Sequence, residues 1–126
     1  MKLYTDQPAN LNIVTGYGDD HVLINKQRHD GNLLVTPDEI RPGWAPGGFA
    51  GLTADDFAAV RELQVQVVII GTGARQRFPA PALLRPLIEA GIGFEVMDLP
   101  AACRTYNILA GEGRKVVAAL LFDPAS

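Results

Sequence analysis

Two short stretches hold the residues of this chain that could do chemistry. The first is Gly71-Thr72-Gly73-Ala74-Arg75-Gln76-Arg77-Phe78-Pro79, directly after an apolar run. The second is Asp98-Leu99-Pro100, leading into Cys103, Arg104, Thr105, Tyr106 and Asn107. Glycines at 71 and 73 let the backbone turn sharply and present N–H groups to an acceptor. Arg75 and Arg77 can add charge-assisted hydrogen bonds to a carboxylate or phosphate. The chemistry that fits is binding of a small anion. A dinucleotide fingerprint would need a third glycine where Gln76 stands, and a triphosphate loop would need Gly-Lys before Ser or Thr, which is absent. The plainer alternative is a tight strand-to-helix turn with two solvated arginines.

Asp98 reads as the N-cap of the helix that follows, or as a substrate contact. Cys103 falls in the first turns of that helix, where the dipole favours a thiolate. Its neighbours Ala101 and Ala102 and the lack of a nearby histidine point instead to a core cysteine. Arg104, Thr105 and Asn107 are polar residues on an otherwise apolar helix, so at least one is expected to face a crevice. No Ser-His-Asp or Cys-His arrangement can be built, so no catalytic residue is assigned. Cys103 is the only cysteine, which excludes an intrachain disulfide, and His21 and His29 lie eight residues apart, which leaves no recognisable metal motif. No cofactor is implied.

Positioning these residues requires a layered fold. Leu11 to Gly18, His21 to Arg28 and Asn32 to Thr36 read as strands of an N-terminal β-hairpin or meander, with the hairpin turn at His29-Asp30-Gly31. Arg41 to Gly51, rich in proline and glycine, reads as an ordered loop anchored by Trp44. Thr53-Ala54-Asp55-Asp56 starts a helix running to about Leu63: Thr53 caps it, Asp56 completes a capping box, and Leu52 and Phe57 form a hydrophobic staple. Asp55 and Asp56 are therefore helix-start acids rather than a catalytic pair. From Val65 a βαβαβ unit follows: strand 65–70, helix 79–90 disturbed by Pro86, strand 93–97, helix 100–110 and strand 115–121. Strands 65–70 and 93–97, joined by a helical crossover, should be parallel neighbours, which sets both chemical loops on one sheet edge. The direction of the last strand stays open. The expected fold class is a three-layer α/β domain with a mixed central sheet, one domain over residues 1–126.

Composition narrows the function classes. Hydrophobic residues make up 48% and charged residues 20% of the 126, the balance of a globular chain. A net charge of −3 argues against a nucleic-acid footprint, which needs a basic face. The N-terminus turns polar within a few residues, and no apolar run approaches the ~20 residues of a membrane-spanning helix. A cytoplasmic location is expected.

Taken together, Glu95 to Leu109, Glu112-Gly113-Arg114 and Val117 to Leu121, with Gly71-Thr72-Gly73 and Trp44 before Leu52-Thr53 as earlier landmarks, resemble a known family. It is the widespread domain of unknown function that includes mitochondrial respiratory complex I assembly factor 3. Leu99 departs from the threonine more common at its place in that pattern. The resemblance implies a three-layer α/β fold and, for the mitochondrial members, a non-enzymatic role in complex assembly through protein partners; it carries over no catalytic residue. The expected function is a non-catalytic interaction or assembly module. The alternative is an anion-binding or small-molecule-binding protein, or an enzyme, using the crevice between Gly71 and Asn107.

Overall fold

The computed structural model describes residues 11–123, so the reading of Met1 to Pro8 lies outside the described residues. The chain forms β1 (Val14–Tyr17), β2 (His21–Ile24), β3 (Gln27–Asp30), β4 (Leu33–Val35), β5 (Ile40–Pro42) and α1 (Ala54–Arg61). These are followed by β6 (Val67–Thr72), a 3₁₀ turn (Pro81–Leu84), α2 (Arg85–Glu89), β7 (Gly93–Met97), α3 (Leu99–Gly111) and β8 (Val116–Leu121). Strands β1, β2 and β3 make a small antiparallel sheet, and the other five make a mixed sheet in the order β5-β4-β8-β6-β7.

The central strands β6 and β8 are apolar on both faces because both faces are covered. On one side α3 and the small sheet pack against Ile69, Ala118 and Leu120. On the other, α1, α2 and the Trp44 loop pack against Val68, Ile70, Val117 and Ala119. The result is three layers around a mixed sheet. β8 runs parallel to β6 and antiparallel to β4, which settles the direction of the last strand. β6 and β7 are parallel, as the helical crossover requires.

Several boundaries differ from the sequence reading. The strand expected over His21 to Arg28 breaks at Asn25-Lys26, whose φ values of 51° and 71° make the two-residue turn between β2 and β3. The turn at Gly31 instead carries the chain out of the small sheet, and β4 joins β8. Ile40–Pro42, of which Arg41 and Pro42 are read from the sequence as the start of the loop, forms a short strand at the sheet's edge, where proline's missing donor breaks no ladder. The helix expected over residues 79–90 is a 3₁₀ turn followed by five α residues. Pro86 lies in the first turn of α2, where its absent N–H is harmless, so the helix starts there rather than running through it. β6 extends to Thr72, so Gly71 and Thr72 belong to the strand and not to the loop after it.

α1 begins as its sequence dictates. The Thr53 hydroxyl accepts from the Asp56 N–H at 3.2 Å, and the Asp56 carboxylate accepts from the Thr53 N–H at 2.9 Å. Leu52 and Phe57 are both buried in the same apolar cluster. No helix among the described residues is long and apolar enough to cross a membrane.

Candidate functional site

The carboxyl ends of β7, β6 and β8 form one rim, where open α/β sheets bind ligands. The loops after β6 and β7 leave toward opposite faces, and the crevice between them is closed by the chain itself. The Leu99 N–H donates to the Gly73 carbonyl at 2.7 Å, and the Gln76 side chain donates to the Val96 carbonyl at 2.8 Å. Thr72 is fully buried at this junction. Its hydroxyl donates to the Arg75 carbonyl at 2.7 Å and accepts from the Arg77 N–H at 2.9 Å, tying the loop back on the strand.

The donors of this loop meet a carboxylate of the same chain. The Asp123 carboxylate accepts from the Ala74 N–H at 3.1 Å and from the Arg77 guanidinium at 2.6 Å. Gly73, at φ 87°, is what lets the carboxylate come so close: a Cβ there would stand 2.9 Å from an Asp123 oxygen. Arg77 also donates to the Thr72 carbonyl at 2.7 and 3.2 Å, and its guanidinium carbon lies 4.5 Å from the Phe49 ring centroid. Arg75 is exposed, and its carbonyl accepts from the Thr72 hydroxyl.

The helix residues lie apart from it. Asp98 caps α3, accepting from the Ala101 N–H at 2.9 Å. Arg104 is exposed and Thr105 half-buried, about two turns along α3. Asn107 turns to the small sheet: its amide accepts from the Val14 N–H at 2.9 Å and donates to the Val14 carbonyl at 2.8 Å. Beside it the Tyr106 hydroxyl donates to the Asn12 carbonyl at 2.8 Å, and burial pushes its phenol above the ordinary value. These bonds fasten β1 to α3.

Cys103 is buried on α3, and burial, partly offset by Arg104, pushes its thiol up to about 12. Since that value is raised, the thiol's contribution to stability is present below the free thiol's pKa and is lost as pH climbs toward about 12. At pH 8 the native chain is expected to react with iodoacetamide at least ~100-fold more slowly than the urea-unfolded chain. Equal rates, followed by mass spectrometry, would place the thiol at the surface.

The open space on this rim is a groove of about 730 Å³ on the β8 side of the loop. It is lined by the Gly-rich segment with Trp44 and Phe49 and by Arg77, Phe122 and Asp123, and the exposed Asp20 and Asp30 stand at its mouth. Asn32 holds the walls in register, accepting from the Phe122 N–H at 2.8 Å and donating to the Ala45 carbonyl at 2.9 Å. At the mouth His21 Nδ1 lies 2.7 Å from Asp20, and Arg28 reaches Asp30 at 2.9 Å and Asp20 at 3.5 Å. The hydrogen bond with His21 is the largest cause holding Asp20 below the usual carboxylate range, with the Arg28 charge adding to it. Ligand atoms of Asp20, His21 and Asp30 lie within 4.8 Å of one another, and Arg28 already supplies positive charge there.

Sequence reasoning reached Arg77 and Trp44 and missed Asp20, Asp30, Phe49 and Asp123. The one available signal was the concentration of glycine and proline from 42 to 51, which marks a loop that can wall a pocket.

Residues 14–121 match the model of a family described as "protein of unknown function (DUF498/DUF598)". The chain is 32% identical over 113 residues to NADH dehydrogenase (ubiquinone) 1 alpha subcomplex assembly factor 3 of Bos taurus, covering 88% of this chain and 61% of that protein. Against the protein of that name from Homo sapiens it is 30% identical over 126 residues, covering 98% of this chain and 68% of the human one. This chain thus spans about three fifths of the bovine relative's length. A crystal structure of a Bordetella parapertussis protein superposes with a TM-score of 0.83 at 42% identity, covering 92% of this chain and all of that one.

Proposed function

Because the chain belongs to the DUF498/DUF598 family, we propose that it is a non-catalytic interaction module that assists assembly of respiratory complex I from the cytoplasmic side. The observation that carries this reading is the likeness to proteins named as assembly factors, which runs over 88% and 98% of the chain. The site chemistry is consistent with it. The Thr72 hydroxyl, the Asn107 amide and the Asp98 carboxylate are engaged by backbone groups, and the Cys103 thiol stays protonated at neutral pH. These side chains hold the fold together. In a host deleted for its own copy, most of the assembled NADH:ubiquinone oxidoreductase is expected to be lost on a native gel and restored by expressing this chain. Unchanged assembly in the deletion host would end the proposal.

A small-anion or small-molecule site is the second reading, favoured by the groove, whose volume lies in the range of ligand pockets. Of the residues read from the sequence as ligand contacts, Arg77 lines this groove, whereas Gly71, Thr72, Gly73, Arg75, Asp98, Arg104, Thr105 and Asn107 lie outside its lining. An incoming anion would have to displace a carboxylate already 2.6 Å from the Arg77 guanidinium.

A further inference from the structure

We propose that the groove beside Arg77 is the docking surface for a basic segment of a protein partner, with an arginine or lysine head group reaching Asp20 and Asp30 and its stem lying along Phe49. The inference rests on the interaction-module reading and names the chemistry of the partner at that surface.

Charge complementarity carries it. The groove's one lining cation, Arg77, has a side chain only 23% exposed, paired with Asp123, bonded to the Thr72 carbonyl and covered by Phe49. It has little left to offer an incoming anion. The carboxylates at the mouth are the reverse: the side chains of Asp20 and Asp30 are 73% and 69% exposed. Arg28 neutralises one of the two, and His21 hydrogen-bonds Asp20 without needing to carry charge. Asp123 is balanced by Arg77, so the groove as a whole keeps one net negative charge, on a chain whose net charge is −3.

The wall opposite suits the rest of such a side chain. Phe49 is half-buried, and with Trp44, Pro46 and Phe122 it lines an apolar flank. Long cationic side chains bury their methylenes on apolar surface and hold the charge at a polar rim, and arginine also stacks on aromatic faces. Arg77 already does this against Phe49 from within. Arg28 already pairs with both carboxylates from the small sheet, so a partner's guanidinium competes with it for Asp20 and Asp30.

The test uses the full chain and two blocked octapeptides, one alternating arginine with glycine and one alternating glutamate with glycine, with inorganic phosphate as third probe. Trp44, the only tryptophan, lines the groove and reports binding by fluorescence. The arginine peptide is expected to bind saturably, about tenfold more weakly to the double variant Asp20→Asn/Asp30→Asn and to Phe49→Ala. Arg28→Ala is expected to bind it more tightly, because a competing cation is gone. All these side chains are at least partly exposed, so the variants keep the fold. No saturable binding, preference for the glutamate peptide or phosphate, or equal affinity in the double variant would overturn the proposal. Expressing Asp20→Asn/Asp30→Asn in the deletion host separates the two ideas. Full rescue removes the groove and leaves the assembly role, whereas intact complex in the deletion host removes the assembly role and leaves the peptide measurement standing.

Discussion

Replacing Gly71 by valine is expected to destabilise the chain by about 3 kcal/mol and to lower its melting temperature by roughly 10 °C. Gly71 lies in β6 where α3 crosses it. A Cβ there would stand 2.8 Å from the Ala102 Cβ, 3.0 Å from a Leu120 methyl and 3.6 Å from the Leu99 Cα. The leucine methyl can rotate aside. The Ala102 Cβ cannot, since it is fixed to the helix backbone, so the helix itself must move. α3 is fastened along its length by Leu99 to Gly73, Tyr106 to Asn12 and Asn107 to Val14, and any shift strains these bonds. Valine adds two methyl groups beyond that Cβ, and overpacking of a closed core costs typically ~1–3 kcal/mol, sometimes more. Gly71→Ala should show a smaller loss, partly recovered by Ala102→Gly in the same chain. Urea unfolding of the four combinations gives the coupling directly. Strict additivity would mean that strand and helix do not meet there.

Gly71 also shows what could be read from the sequence and what could not. Its glycine was legible as a sign of backbone freedom, and a turn with an anion was the natural inference. The reason it is glycine is a helix passing overhead, and that helix begins 28 residues later in the chain, at Leu99. Local chemistry was fully legible: the Thr53–Asp56 capping box, the Asp98 cap and the break at Pro86 all depend on neighbours within four residues. The β6–β7 crossover followed from helix length and apolar strands. Long-range partners carried no local mark. Asp123 is an unremarkable acid after a strand until the fold carries it 49 residues back to the Ala74 N–H. Asn107 was recognised as a polar residue on an apolar helix, yet its partner Val14 is 93 residues away. The Asn25-Lys26 turn escaped because it lacks glycine, the residue by which such turns are recognised. The groove escaped most completely, because its walls come from the β1–β2 turn, the end of β3, the Trp44 loop and the segment after β8.

Trp44→Ala is expected to have the other large effect, a loss of about 3–5 kcal/mol. The indole is only 6% exposed, sits edge-on to Phe57 with ring centroids 5.8 Å apart, and donates to the Asp56 carbonyl at 2.8 Å. It is the main hydrophobic anchor of a loop whose backbone is otherwise hard to hold. Gly43, Ala45 and Gly48 all have positive φ, and Ala45 keeps its φ of 52° while fully buried, a conformation that costs an alanine energy. Two forces offset that strain: burial of the indole against α1, and the Asn32 amide bonded to the Ala45 carbonyl. Without the indole, that amide bond and the loop's own backbone bonds are left against a cavity. Trp44→Phe separates the contributions, since it restores most of the apolar contact and omits the donor. Because the Asp56 carbonyl sits in a helix and keeps its usual acceptor role there, that variant should lose only ~1–2 kcal/mol. Far-UV circular dichroism in urea measures both, and amide exchange at Gly48 and Gly51, whose N–H groups bond within the loop, should accelerate far more in the alanine variant. A Trp44→Ala loss below 1 kcal/mol, or unchanged exchange at those glycines, would show that the loop closes by its backbone bonds alone. The aromatic wall of the groove would then be a consequence of the fold rather than one of its supports.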